Sequence, residues 1–350
     1  MDFELPPSFW PAVYRVAGGE VWPPQTDQQA AAFIERVVPE GLLSLLMAEQ
    51  SLPSAVVRAI RGFQALDRTN RLRAHAFADS LKTVVDLLQG EPIIILKGTD
   101  YAYRLYPAPH LRPRQDIDIL VHRERATTIA SRLKNAGFIL HFPAGAVARV
   151  PAYHEAVFEV GNATVEVHHS FIQRARNRID YAGVWERAKP WSGFDSRLLQ
   201  LDDADALVYH AVNMGSDQFS SPIFRHLDVW LMLRNREELL PVAVDRAREW
   251  ATSRALYGAL RQTSRLFPEM SSPAVEDAMR RLLPRRTRDF LDRHILPDPW
   301  LRRRYGRAGQ LWRKFWLIDD GFHRAAFALY HSYAVIAGKL LEMRDQRSSL

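Results

Sequence analysis

The chain has 350 residues, of which 47% are hydrophobic and 25% charged, and its net charge at pH 7 is +7. This composition is typical of a globular protein and excludes a disordered chain. The sequence contains no cysteine, which excludes disulfides, thiolate nucleophiles and cysteine-ligated metal centres. Any metal must therefore bind carboxylates or histidines.

The sequence near both ends lacks the pattern of an export signal or a membrane span. Residues 1–10 carry two acidic residues and two prolines, where a secretory signal needs a basic start and an apolar stretch. The apolar stretch 325–337 is interrupted by His331 and Ser332 and is too short to cross a bilayer. We therefore expect a soluble, cytoplasmic protein without membrane partners.

Helices and strands alternate through the first part of the chain. Apolar residues recur at helical spacing from about residue 28 to 89. The segment 91–96 is short, continuously apolar and β-branched, which predicts a strand buried on both faces. The elements predicted next are a helix over about 99–106, a strand over 116–121, a helix over 123–135 and a strand over 138–142.

A hairpin and then a run of helices complete the predicted fold. Residues 154–160 and 164–168 alternate in polarity and are joined by Gly161-Asn162, a pair that permits a tight turn. From about residue 202 only helical patterns follow, at 203–214, 224–233, 243–266 and 321–343. We predict an α/β fold with a mixed sheet, divided into an N-terminal helical segment (1–90), an α/β domain (91–200) and a C-terminal helical domain (201–350).

Acidic residues on two of the predicted strands indicate a metal site. Alternate side chains of a strand share a face, so Asp116 and Asp118 project together, as do Glu166 and His168. Two adjacent carboxylates repel each other unless a cation lies between them, and oxygen ligands of this kind suit Mg²⁺ or Mn²⁺. Each acid taken singly is more often a solvated strand residue. The joint pattern favours the site.

A phosphate-binding turn is predicted beside these acids. Gly98 and Thr99 lie where the first strand gives way to a helix, so that backbone N–H groups and the threonine hydroxyl can bind a triphosphate. Lys97, Arg112 and Arg114 could supply positive charge.

Arginine runs late in the chain have two interpretations. The runs at 280–281, 285–286 and 302–304 would attract a phosphate-bearing partner such as RNA. The favoured interpretation is that they lie on solvated helix faces and pair with Asp277, Asp289 and Asp292, since no aromatic RNA-binding motif accompanies them.

Two segments together resemble a known family. Residues 94–99, continuing through Leu105-Tyr106-Pro107 and residues 111–121, resemble the "uncharacterised nucleotidyltransferase" family of bacteria, within the DNA polymerase β-like nucleotidyltransferase superfamily. The strand 165–168 resembles the family's later acidic strand, and His210 with Arg225 and Asp228 resembles a polar pattern in its helical part.

The resemblance implies roles for residues of this chain. Gly98 and Thr99 correspond to the phosphate-binding turn, and Asp116, Asp118 and Glu166 correspond to the catalytic metal ligands. Thr99 replaces the usual serine or glycine, and the gap from Thr99 to Asp116 is longer than in most members. The candidate nucleotide-binding side chains are Lys97, Arg112, Arg114, His168, His210 and Arg225. In the helical part, lining of the acceptor or nucleotide pocket and interhelical hydrogen bonding are equal alternatives for His210, Asn213, Arg225 and Asp228.

The activity implied is transfer of a nucleoside monophosphate from an NTP, with Mg²⁺ or Mn²⁺ as cofactor and release of pyrophosphate. The acceptor could be a small molecule, a peptide or an RNA. The alternative is a catalytically inactive nucleotide-binding regulator or scaffold with the same fold. The sequence leaves the acceptor, the base of the NTP and the oligomeric state open.

Overall fold

A computed structural model of the chain describes residues 3–141, 154–160, 163–172, 176–220, 222–300 and 306–329. Seven strands form one mixed sheet: β1 Ile94–Ile95, β2 Asp116–Leu120, β3 Ile139–Leu140, β4 Glu155–Val160, β5 Ala163–His168, β6 Lys189–Pro190 and β7 Leu199–Gln200. Their order across the sheet is β3-β4-β5-β2-β1-β7-β6. The predicted α/β class with a mixed sheet is thereby confirmed.

Strand β2 lies at the centre of the sheet and carries the predicted acidic pair. It pairs in parallel with β5 and antiparallel with β1, which in turn pairs in parallel with β7. The predicted hairpin is β4–β5, and its turn at Gly161-Asn162 lies outside the described residues. Strands β6 and β7 were not predicted, because two-residue strands are too short to show alternation.

Helices precede, interrupt and follow the sheet. Those before it are α1 Phe9–Val16, α2 Asp27–Val37, α3 Leu43–Ala48, α4 Ser54–Ile60 and α5 Gln64–Leu87, and those between the strands are α6 Lys97–Arg104, α7 Ala126–Asn135 and α8 Tyr181–Arg187. Those after it are α9 Asp203–Ser216, α10 Ile223–Leu233, α11 Leu239–Glu249, α12 Ser253–Leu266, α13 Pro273–Leu282, α14 Arg285–Phe290 and α15 Arg307–Trp316. Residues 321–329 are also helical, and the rest of the helix predicted over 321–343 lies outside the described residues. None of the helices described is both long and apolar enough to span a bilayer.

The single helix predicted over 243–266 is wrong, because the chain breaks it into α11 and α12. Ala251 has a backbone φ of 55°, in the left-handed region, which interrupts the helical hydrogen bonds. The apolar pattern conceals the break because Trp250 and Leu256, on either side of it, are both fully buried.

Each face of the sheet packs into its own core. Ile117 and Val165 pack with Leu81 of α5 and Ile129 of α7 on one face. Leu120 packs with the helices of the C-terminal part on the other face. The alternation of β2 therefore places Asp116 and Asp118 on the side of Leu120, facing the helices that follow the sheet.

A third core joins the N-terminal helices to the C-terminal ones. Phe33 and Leu46 pack in one cluster with Leu227 of α10 and Phe267 at the end of α12. The three predicted segments thus share buried contacts, and the boundaries at residues 90 and 200 remain predictions.

Candidate active site

The parallel pairing of β2 and β5 brings the predicted acids together. Asp118 lies directly opposite Glu166, and Leu120 opposite His168. Ile117 and Ile119 are fully buried in the opposite face of the sheet, which fixes the register because a slip of one residue would place the acids in the apolar core instead. The apolar residues of β2 thereby determine where its carboxylates point.

Asp118 is the centre of the polar cluster. Its side chain is only 1% exposed, and its Oδ1 accepts a hydrogen bond from Lys97 Nζ at 2.7 Å. The Nε2 atom of His168 lies 2.9 Å from the same oxygen. Glu166 joins the cluster, since its Oε2 lies 3.8 Å from Lys97 Nζ and 3.3 Å from His168 Nε2. Two carboxylates and two basic groups thus share one small volume.

The neighbouring charges shift the pKa values of the cluster in opposite directions. Burial and the charges of Asp118 and Glu166 raise the pKa of Asp116 to about 6. Burial also disfavours the charge on Asp118, but Lys97 and His168 outweigh it and hold the pKa of Asp118 well below its usual range. Burial opposes the charge on His168 as well, yet its hydrogen bonds to Asp118 and Glu166 raise its pKa to about 9. Asp116 therefore keeps its proton to a higher pH than a solvated aspartate does.

Lys97 is held in an unusual backbone conformation. Its φ is 40°, in the left-handed region that non-glycine residues rarely adopt. Strained residues of this kind concentrate at functional sites, where the surrounding structure enforces them. Lys97 is also the first residue of α6, so the strained turn both aims its ammonium group at Asp118 and starts the helix.

Two groups of side chains within the described ranges have ligand atoms close enough to hold a metal ion. Asp118, Glu166 and His168 form one group, and His154, Glu155 and His168 form the other; in each, the ligand atoms lie within 4.8 Å of one another. The first group offers two carboxylates, which suit Mg²⁺ or Mn²⁺, and Asp116 projects from the same face of β2 although it is not part of this group. The second group was missed from the sequence. Its signal was the hairpin register, which places Glu155 opposite His168.

A cleft of about 690 Å³ opens beside the acids. Asp116 and Asp118 line it from the sheet, and Asn213 and Phe224 line it from α9 and α10. Residues of α5 and of the segment 38–43 form a further wall. The cleft therefore has contributions from all three predicted segments, including the N-terminal helices.

Gly98 and Thr99 occupy the first turn of α6, but with different access. A Cβ on Gly98 would lie 2.8 Å from Arg112 Nη1, so a larger residue here would force the Arg112 guanidinium group to shift. Gly98 lines the cleft, and the first amides of a helix have no acceptor within it. Thr99 is only 3% exposed, and its Oγ1 is buried without a hydrogen-bond partner in the described residues. The backbone of this turn faces the cleft more directly than the threonine hydroxyl.

The two predicted cleft arginines differ in what compensates their charge. Arg112 is 5% exposed and donates from Nε and Nη2 to Asp228, which is fully buried. Tyr106 Oη donates to the same carboxylate at 2.9 Å. Arg114 instead has two aromatic rings as neighbours, those of Phe77 and Tyr103. Arg112 is thus held in a structural ion pair, whereas Arg114 has no ion pair within the described residues.

His210 and Arg225 both line the cleft and also join two helices. The Nε2 atom of His210 lies 2.9 Å from the backbone oxygen of Arg225. The side chain of Arg225 forms an ion pair with Asp217 at 2.5 Å. Burial lowers the pKa of His210 to about 4, so this histidine is neutral at pH 7. The interhelical hydrogen bond predicted as one alternative is therefore present. Nucleotide binding by either residue stays a prediction.

The late arginines mostly have acidic neighbours. Arg280 lies 3.5 Å from Asp277, and Arg285 lies 3.8 Å from Asp289. Asp292, however, pairs with Arg261 rather than with an arginine of these runs. The run at 302–304 lies outside the described residues. The described pairs are consistent with solvated helix faces.

The chain was compared with known protein families, curated proteins and solved structures. No curated protein and no solved structure matches the chain significantly. A family described as "uncharacterised nucleotidyltransferase" matches residues 30–268, which include the whole sheet and the helices α9 to α12. Because this match covers more than half of the chain, the protein belongs to the uncharacterised nucleotidyltransferase family.

Proposed function

We propose that the protein is a metal-dependent nucleotidyltransferase, which moves a nucleoside monophosphate from an NTP to an acceptor and releases pyrophosphate. The observation that carries the proposal is the convergence of Asp116, Asp118 and Glu166 from two paired strands in a member of this family. A small molecule, a peptide and an RNA all remain candidate acceptors.

In this proposal Asp116, Asp118 and Glu166 hold Mg²⁺ or Mn²⁺. A divalent cation bound there activates the attacking hydroxyl and stabilises the charge of the leaving oxygen. The environment of Asp116 supports the assignment, because burial and the nearby charges of Asp118 and Glu166 together raise its pKa to about 6. His168 positions the ligands through its contacts with Asp118 and Glu166.

The triphosphate would bind at the start of α6. The backbone amides of Lys97, Gly98 and Thr99 lie at the positive end of that helix, which favours anions. Lys97 and Arg114 add positive charge along the cleft. Lys97 lies beside Asp118 in this structure, and its ammonium group would be available to contact a phosphate when these carboxylates hold a cation.

A nucleotide-binding regulator without turnover is the second candidate, and the position of Lys97 favours it. The ammonium group of Lys97 lies within 4 Å of both Asp118 and Glu166. The lysine charge therefore compensates these carboxylates without a metal ion. Such an arrangement would keep the fold stable in a protein that binds nucleotide but no longer catalyses transfer. This candidate predicts NTP binding without pyrophosphate release.

The test is transfer of label from α-³²P NTPs, incubated with Mg²⁺ and cell extract. Wild-type protein should label an acceptor and release pyrophosphate, whereas Asp116→Asn combined with Asp118→Asn should do neither. Asp289→Asn is the matched control, because it removes a carboxylate from an exposed helix outside the cleft. Equal labelling by the wild-type protein and the double variant would refute catalysis at this site. A thermal shift with NTP but no pyrophosphate from the wild-type protein would establish the second candidate.

A further inference from the structure

We propose that α5, in the N-terminal helical segment, supplies an anion subsite that binds the β- and γ-phosphates of the NTP, with Arg73 as the contacting residue. This inference rests on the proposed function and deepens it. The β- and γ-phosphates are the part of the NTP that leaves as pyrophosphate. The proposal places their binding site on a helix that precedes the sheet in the sequence.

One face of α5 forms the wall of the cleft. The cleft-lining residues of this helix are Leu66, Asn70, Arg73, Ala74 and Phe77. Their spacing of three or four residues places them on a single face. Arg73 is exposed on that face and makes no ion pair within the described residues. An exposed guanidinium group thus lies at the wall of the cleft.

Arg114 adds a second positive charge to the same wall. Its Nη2 donates to the backbone oxygen of Ala74, next to Arg73 in the chain. Its guanidinium carbon lies 5.2 Å from the ring centroid of Phe77 and 5.5 Å from that of Tyr103. These contacts fix Arg114 against α5, so that its charge and that of Arg73 reinforce each other.

The charge of Arg114 is not balanced by the protein. Its Nε and Nη1 are buried without hydrogen-bond partners in the described part of the chain. An arginine stays charged at pH 7. A buried charge without an acid is unfavourable for folding. An anionic ligand in the cleft would compensate it.

The chemistry of a triphosphate matches this arrangement. Asp116 and Asp118 line the cleft and would repel phosphate oxygens that lack a cation between them. Guanidinium groups bind phosphate oxygens in forked, charge-assisted hydrogen bonds. Arg73 and Arg114 therefore provide the attraction that the carboxylates do not. A nucleoside monophosphate, which lacks the β- and γ-phosphates, would not use this subsite.

The experiment measures binding of three probes in Mg²⁺ buffer by isothermal titration: inorganic pyrophosphate, ATP and AMP. In Arg73→Ala, binding of pyrophosphate and ATP should weaken about tenfold, because one charge-assisted contact is lost. Binding of AMP should stay as in the wild-type protein, and Arg73→Lys should recover part of the loss for pyrophosphate. The matched control is Arg68→Ala, which removes an exposed arginine from the same helix but outside the cleft.

The outcomes separate this inference from the proposed function. Unchanged pyrophosphate binding in Arg73→Ala, or an equal loss in Arg68→Ala, overturns the subsite whether or not the protein transfers nucleotides. Failure of the wild-type protein to bind pyrophosphate also overturns it. Weaker pyrophosphate binding in Arg73→Ala, in a protein that transfers no label from any NTP, retains the subsite and rejects the catalytic proposal.

Discussion

Removing the charge of Asp228 should strongly destabilise the folded protein, because the charge of Arg112 would stay buried without a partner. Asp228 is fully buried and Arg112 is 5% exposed, so water can replace neither partner. Asp228→Asn keeps the shape of the side chain. It nevertheless replaces a carboxylate oxygen with an NH₂ group that has only donors to offer to the Arg112 guanidinium.

The expected loss follows from the contacts that the carboxylate makes. Its oxygens accept from Arg112 Nη2 at 2.7 Å, from Arg112 Nε at 3.0 Å and from Tyr106 Oη at 2.9 Å. Breaking a buried pair by neutralising one partner costs about 3–5 kcal/mol, because the other charge stays buried. The double variant Arg112→Met/Asp228→Leu should recover much of that loss, since it removes both charges.

The assay is urea unfolding followed by circular dichroism, with Asp289→Asn as the control. The Asp289 pair with Arg285 is exposed and 3.8 Å long, so its loss should change the free energy of unfolding by less than about 0.5 kcal/mol. If Asp228→Asn cost less than about 1 kcal/mol, the Arg112–Asp228 pair would not be a buried ion pair and this reasoning would be wrong.

Three further predictions follow from named contacts. Burial lowers the pKa of His226 from 6.5 to about 3. At pH 5 this histidine is therefore neutral in the folded state and protonated in the unfolded state, so the free energy of unfolding decreases as the pH is lowered below about 6.5. Between pH 7.5 and pH 5, the free energy of unfolding measured in urea should therefore decrease by about 2 kcal/mol less in His226→Asn than in the wild-type protein. An equal decrease in both proteins would show that His226 is not held in the neutral form by burial. Gly98→Ala should cost about 1–3 kcal/mol, because its Cβ would lie 2.8 Å from Arg112 Nη1; Gly62→Ala, with nothing within 4 Å, is the control, and a melting temperature equal to that of wild type would contradict the contact. Lys97→Met should increase the thermal shift caused by Mn²⁺, since the competing ammonium group is gone, and should lower label transfer by about tenfold or more; a smaller Mn²⁺ shift would contradict the proposed competition.

The strands that position the acids could be predicted from sequence because each has a periodic signal. Ile117 and Ile119 alternate with Asp116 and Asp118, and Val165 and Val167 alternate with Glu166, so the pattern indicates both the strand and the face of each acid. The sequence allowed sheet pairing to bring Glu166 beside Asp116 and Asp118, but no local pattern showed that β5 would be the direct neighbour of β2. Strand pairing depends on contacts across the sheet, which no local pattern contains.

Other features depend on tertiary contacts that the sequence does not reveal. The ion pair between Arg112 and Asp228 joins residues that are 116 positions apart in the sequence. From the sequence, Arg112 and Arg114 were equivalent candidates for phosphate binding. The placement of Lys97 on Asp118 needs a left-handed residue at a position that carries no glycine. The contribution of α5 to the wall of the cleft was not predicted. Polar residues on a helix face give the same sequence pattern whether they contact solvent or a ligand.

The most direct test of the account is the binding of Mn²⁺ measured by electron paramagnetic resonance with ATP present. Wild-type protein should bind Mn²⁺, and Asp118→Asn or Glu166→Gln should weaken that binding about tenfold or more, because each removes a charged oxygen ligand. Asp289→Asn should bind as wild type does. Equal Mn²⁺ affinity in the wild-type protein and in both active-site variants would contradict the claim that the paired strands build a cation site.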